Sequence, residues 1–274
     1  SVAVDAAGNV YVTGESQQTP GPLTTPTDYA TVKYNSAGVQ LWVARYNGPG
    51  NGQDVAYKLV VDASGNVYVS GWSIGLGTNY DYATIKYNSL GTQLWVARYN
   101  GPAKVFDGAN SLALDASGNV YVTGRSTGIG TKYDYATIKY NAAGIQQWVE
   151  RYVGPDIPGD GDEPRYDAID NAVSIIVDGL GNVYVTGESD GSGTNLDYAT
   201  IKYSQPPAIA ARAVPAKLSE ELPSVFRVSN YPNPVSYSTR IQFELPIDGQ
   251  VSVKVYDVLG REVATLVNAN MKAG

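Results

Sequence analysis

"DYATIKY" occupies positions 81–87 and again 134–140, returns at 197–203, and stands as "DYATVKY" at 28–34. A phrase that returns at a fixed interval means that the chain is built from structural repeats. Its opening aspartates, Asp28, Asp81, Asp134 and Asp197, are 53, 53 and 63 residues apart. A second phrase, D-x-x-G-N-V-Y-V-[TS]-G, opens at Asp5, Asp62, Asp115 and Asp178. A third, "LWVARY" or "QWVERY", covers 41–46, 94–99 and 147–152, and Asp54, Asp107 and Asp170 each stand eight residues before the next D-x-x-G-N.

Each repeat therefore carries four short apolar runs, here "YKLVV", "NVYVSG", "DYATIKYN" and "QLWVARYN", punctuated by Gly, Asn, Ser and Pro. "DASGN" and "NSLGT" have the residues of tight hairpin turns, with Gly or Asn available for positive φ. In the third run Tyr82, Thr84 and Lys86 alternate with Ala83, Ile85 and Tyr87, the period of a strand. The first two runs are apolar on both faces, as strands covered on both sides are. Four antiparallel strands in about 53 residues is the size of a propeller blade. The expected fold is all-β: a β-propeller of about four blades (1–47, 54–100, 107–152 and 170–203), the last lacking its outer strand. Trp42, Trp95 and Trp148 are expected to pack between blades rather than to stack on a ligand.

Composition agrees and narrows the chemistry. The 274 residues include 30 Gly, 15 Pro and 22 Tyr, with no Cys and no His. Disulfides, thiolate chemistry, the usual serine-hydrolase triad and most transition-metal sites are excluded. A net charge of −7 argues against nucleic acid or an anionic membrane surface as partner. No apolar stretch is long enough for a spanning helix.

Along 1–203 the phrases D-x-x-G-N-V-Y-V-T-G, D-Y-A-T-I-K-Y-N and L-W-V-A-R-Y resemble the bacterial β-propeller repeats known as SBBP. That family occurs mainly in large secreted or surface proteins. After a Pro/Ala-rich linker at 204–224, "NYPNP" (230–234), "STRIQFELP" (238–246) and "VSVKVYDVLGREVATLVN" (251–268) resemble the C-terminal sorting domain of type IX secretion cargo. The resemblance implies a small, partial β-sandwich over 225–274, the type IX secretion machinery as partner, and a secreted or cell-surface location.

Two consecutive prolines after Tyr203 exclude a central strand there. Three repairs of the fourth blade are open: an upstream strand that closes the ring, further upstream blades, or a strand from a neighbouring molecule. Residue 1 falls inside the recurring pattern, so a trimmed or processed chain is the expectation.

Two sets of carboxylates are candidate cation sites, with calcium the ion suited to oxygen ligands. Asp54, Asp107 and Asp170 precede the innermost strand, where they would form an axial ring or else cap their own turns. The third repeat holds a ten-residue insertion with Asp156, Asp160, Asp162, Glu163 and Asp167. It reads either as a calcium loop or as a solvated acidic loop, its spacing matching no EF-hand. No catalytic residue or required cofactor is assigned. The functional expectation is a non-enzymatic structural or adhesive surface protein, self-assembling by strand complementation. The alternatives are a propeller that grips calcium or surface glycan, and a carboxylate-based hydrolase.

Overall fold

The computed structural model describes residues 1–17, 26–154, 169–190, 196–204, 227–231, 240–256 and 261–272. The five acidic positions of the insertion, Asp156 to Asp167, lie outside the described residues, as does the linker from 205 onward. The chain divides into two compact units, Ser1–Pro207 and Ala208–Gly274. Every described element is a strand.

The first unit is the β-propeller that the repeats predict. Blade 1 is β1 (Val2–Val4), β2 (Val10–Ser16), β3 (Asp28–Tyr34) and β4 (Gln40–Tyr46), paired in that order. Blade 2 is β5 (Asp54–Val61), β6 (Val67–Ile74), β7 (Tyr80–Tyr87) and β8 (Gln93–Tyr99). Blade 3 is β9 (Asp107–Leu114), β10 (Val120–Thr127), β11 (Tyr133–Tyr140) and β12 (Gln146–Tyr152). In blade 4, β13 (Asn171–Val177), β14 (Val183–Asp190) and β15 (Leu196–Tyr203) form a three-stranded sheet among the described residues. All pairings within the blades are antiparallel.

The hairpins form because their turns are pre-set. Asp62 Oδ1 accepts the backbone N–H groups of Ser64 and Asn66, and Gly65 takes φ 76°. The same bonds recur at Asp5, Asp115 and Asp178. Asn35, Asn88 and Asn141 serve the turns before the fourth strands in the same way. The first strands of blades 2, 3 and 4 bulge opposite a glycine, for example between Ala56 and Lys58 facing Gly71. The bulge brings the Val55 carbonyl against Gly71 Cα, where a side chain has no room.

Blades stack face to face, and three apolar clusters fill the three junctions. Each pairs tyrosines of one blade with aliphatic residues of the next. Tyr11, Tyr29 and Tyr46 meet Leu59, Val67, Val69 and Ile85 at the first junction. This explains why both faces of the third run are buried: Tyr82 looks forward and Ile85 backward, both at 0% exposure. Trp42 and Trp95 pack at these junctions, their Nε1–H groups donating to the Ser89 and Ala142 carbonyls of the following blade at 3.1 and 3.2 Å.

In the second unit β16 (Arg227–Tyr231) pairs with β17 (Arg240–Glu244), and β18 (Gly249–Tyr256) with β19 (Glu262–Met271). The described strands of this unit form two separate two-stranded antiparallel sheets.

Candidate functional site

The repeating polar residues fall into three groups, each with a defined task. The first is the turn aspartates. Asp62 Oδ2 accepts the Asn66 side-chain amide at 2.8 Å and the Tyr68 hydroxyl at 3.1 Å, so both carboxylate oxygens are occupied. Burial raises the Asp62 pKa, but these donors outweigh it and hold the group below its ordinary value. Asp115 follows the same balance. At Asp5 the Asn9 side chain is the largest cause, and the pKa falls to about 2.

The second group is the axial candidates. Asp54, Asp107 and Asp170 are buried, at 0%, 0% and 2% exposure. One oxygen of each accepts a backbone N–H, from Gly48, Gly101 and Gly154 respectively, at 2.6 to 2.7 Å. Burial raises all three pKa values, offset in part by the hydroxyls of Ser73, Ser126 and Ser189. Among the described residues no three carboxylates converge as a metal site would require. Each of these aspartates thus carries a hydrogen bond from a blade-to-blade connection, and the axial ring stands as an expectation.

The third group was not legible as a unit in the sequence. Arg98 and Arg151, from the "WVARY" and "WVERY" phrases, are clamps. Arg151 Nη2 donates to Asp134 Oδ2 at 2.6 Å and to the Ser126 carbonyl at 2.8 Å, while Nη1 donates to Ser126 Oγ and to the Tyr99 hydroxyl of the preceding blade. Arg98 repeats this with Asp81, Ser73 and Tyr46. Burial opposes the Arg151 charge, yet the bond it donates to Asp134 and the nearby Tyr99 raise its pKa. The recurrence of Arg next to Tyr was the available signal, since a clamp across a junction needs one residue from each side.

Two surfaces depart from this regularity. One is a row of rings where the repeat breaks its own pattern. Trp72 stands where the other blades have Glu15, Arg125 and Glu188. Trp72 meets Tyr80 edge-on with centroids 4.4 Å apart, Tyr80 meets Phe106 at 5.5 Å, and Phe106 meets Tyr133 at 5.7 Å. The Arg125 guanidinium lies over both Phe106 and Tyr133. The other is the outer edge of β15. Strands β3, β7 and β11 each pair on both sides, whereas β15 pairs only with β14 among the described residues. Trp148 Nε1, equivalent to the donors on Trp42 and Trp95, is buried there with no acceptor among the described residues.

Comparison with known proteins adds two family matches. Residues 151–193 match a family described as a β-propeller repeat, SBBP. Residues 229–273 match one described as a secretion system C-terminal sorting domain. No curated protein matches. Among solved structures, a mannose phosphorylase from Leishmania mexicana is 15% identical with a TM-score of 0.36, covering 74% of this chain and 66% of that one. A tail fibre of a Staphylococcus aureus phage is 10% identical with a TM-score of 0.24, covering 73% and 48%. This chain spans less than two thirds of the length of either.

Proposed function

From the premise of an SBBP-type propeller repeat protein, exported to the cell surface by a type IX sorting domain, we infer a structural role without catalysis. The propeller is a building block that associates with further copies through its open blade edge. The observation that carries this reading is that β15 pairs, among the described residues, only with β14. An unpaired strand edge offers a row of N–H and C=O groups, a template for β-augmentation. The recurrent Asp, Arg, Ser and Tyr groups support the same reading, because their hydrogen bonds tie turns and blade junctions together.

A labelled heptapeptide with the sequence of β12, "QQWVERY", tests the edge. It is expected to bind the chain saturably and to compete with self-association, as a fourth strand on β15 would. Absence of binding, or binding that leaves assembly untouched, contradicts the edge reading.

A second reading, a glycan-binding propeller, is favoured by the Trp72–Tyr80–Phe106–Tyr133 row, since aromatic faces suit sugar rings. Calorimetry against a glycan panel tests it. A heat signal lost in Trp72→Ala supports it, and silence across the panel removes it.

A further inference from the structure

We propose that the ring row at the junction of blades 2 and 3 is a binding site for an acidic saccharide. The rings receive the C–H face of a sugar, and the Arg125 guanidinium receives its carboxylate. This assignment rests on the glycan reading and deepens it by naming the class of sugar. It does not depend on self-association.

Four departures from the repeat meet at this junction, all at the strand ends away from the Asp62 and Asn88 turns. Trp72 stands where blades 1 and 4 carry Glu15 and Glu188, and Arg125 holds that position on blade 3. Phe106 stands where the other connections carry Gln53 and Ile169. Gly108 replaces Val55 and Asn171, and a Cβ there would lie 3.0 Å from the Phe106 ring and 3.4 Å from Trp72 Cδ1. The missing side chain is therefore what admits both rings.

The rings are held in place before any ligand arrives. The Phe106 N–H donates to Thr127 Oγ1 at 3.2 Å, its carbonyl accepts that hydroxyl at 2.8 Å, and its backbone bridges to Tyr80. Trp72 Nε1 donates to the Tyr57 hydroxyl at 3.2 Å, which fixes the indole plane. Little ordering entropy is then left to lose on binding. Trp72, Tyr80, Phe106 and Tyr133 are each half-buried and Tyr57 is 48% exposed, so the rings present surface instead of filling a core. Their electron-rich faces attract the polarised C–H groups of a sugar. Arg125 sets the class of sugar. Its guanidinium carbon lies 4.7 and 5.0 Å from the Phe106 and Tyr133 centroids, so the rings hold the planar fork over the row. Such contacts engage the face of the fork, whereas its N–H donors lie in its plane and match a carboxylate two oxygens at a time. A neutral sugar leaves these donors to water. Nucleic acid needs many clustered cations. One saccharide carboxylate needs a single guanidinium, which a chain of net charge −7 supplies locally.

Trigalacturonic acid and its methyl ester are the probes, since they share the sugar rings and differ at the carboxylates. Calorimetry at low salt is expected to show saturable binding of the acid and about tenfold weaker binding of the ester, the lower end for a hydrogen bond to a charged group. Arg125→Gln is expected to weaken the acid by the same factor and to leave the ester unchanged. Trp72→Ala is expected to abolish binding of both, and circular dichroism verifies that each variant keeps the fold. Added sodium chloride should weaken the acid and not the ester. Equal binding of acid and ester, or an Arg125→Gln variant that binds the acid like wild type, overturns the acidic ligand and leaves the glycan reading standing. An oligoglutamate of equal charge that binds as tightly as the acid overturns a saccharide ligand in favour of charge alone. Silence toward both probes overturns this assignment, and the glycan reading falls with it only when the wider panel is silent too.

Discussion

Arg151→Leu is expected to lower the unfolding free energy by about 3–5 kcal/mol, the range for removing one partner of a buried ion pair. The Arg151 and Asp134 side chains are 9% and 3% exposed. Asp134 Oδ1 has no hydrogen-bond partner among the described residues, so Arg151 supplies the carboxylate's principal compensation there. Loss of the guanidinium also frees the Tyr99 hydroxyl and Ser126 Oγ from their shared donor. For a propeller unit of this size the thermal midpoint should fall by roughly 6–20 °C. Arg45→Leu is the matched control. Arg45 holds the same repeat position on blade 1, but is exposed and bonds to Ser16. Its loss should cost about 0–1 kcal/mol. Equal effects at the two positions would show that the clamp contributes no more than a surface pair.

Gly124→Ala is expected to be comparably severe, about 3 kcal/mol or more, for a steric reason. The bulge at Thr123/Gly124 presses the Gly108 carbonyl oxygen, the Ala109 Cα and the Asn110 nitrogen onto the side of Gly124 where a Cβ would point. These neighbours are backbone, so relief requires the whole strand β9 to shift. Gly14 holds the same place in "VYVTG" of blade 1, yet nothing lies within 4 Å of its added Cβ. There Gly→Ala should change stability by no more than about 0.5 kcal/mol. Thermal unfolding of the two alanine variants side by side decides the matter. A well-folded Gly124→Ala protein would mean that the bulge relaxes at low cost.

These paired controls show what repetition makes legible. Strand order, turn positions and blade size follow from the recurring phrases, because hairpin turns need particular residues at particular offsets. The tryptophans lie at the junctions between blades, where they were expected. Repetition hides other things. Asp54, Asp107 and Asp170 recur equally whether they ring an axis or anchor turns, so recurrence alone does not choose between the two readings. The Arg98 and Arg151 clamps join residues from four strands of two blades, a separation that spacing along the chain does not reveal. The ring row at Trp72 and Phe106 arises where residues depart from the repeat, and a search for recurrence passes over departures. Asp156, Asp160, Asp162, Glu163 and Asp167 lie outside the described residues, so the calcium loop stands as an expectation.

The most direct measurement is the molar mass of the 274-residue chain by light scattering across a concentration series, with negative-stain images of the same samples. The propeller as a self-associating surface module predicts mass that rises with concentration, and closed rings or fibres in the images. A single monomeric mass at every concentration would contradict it.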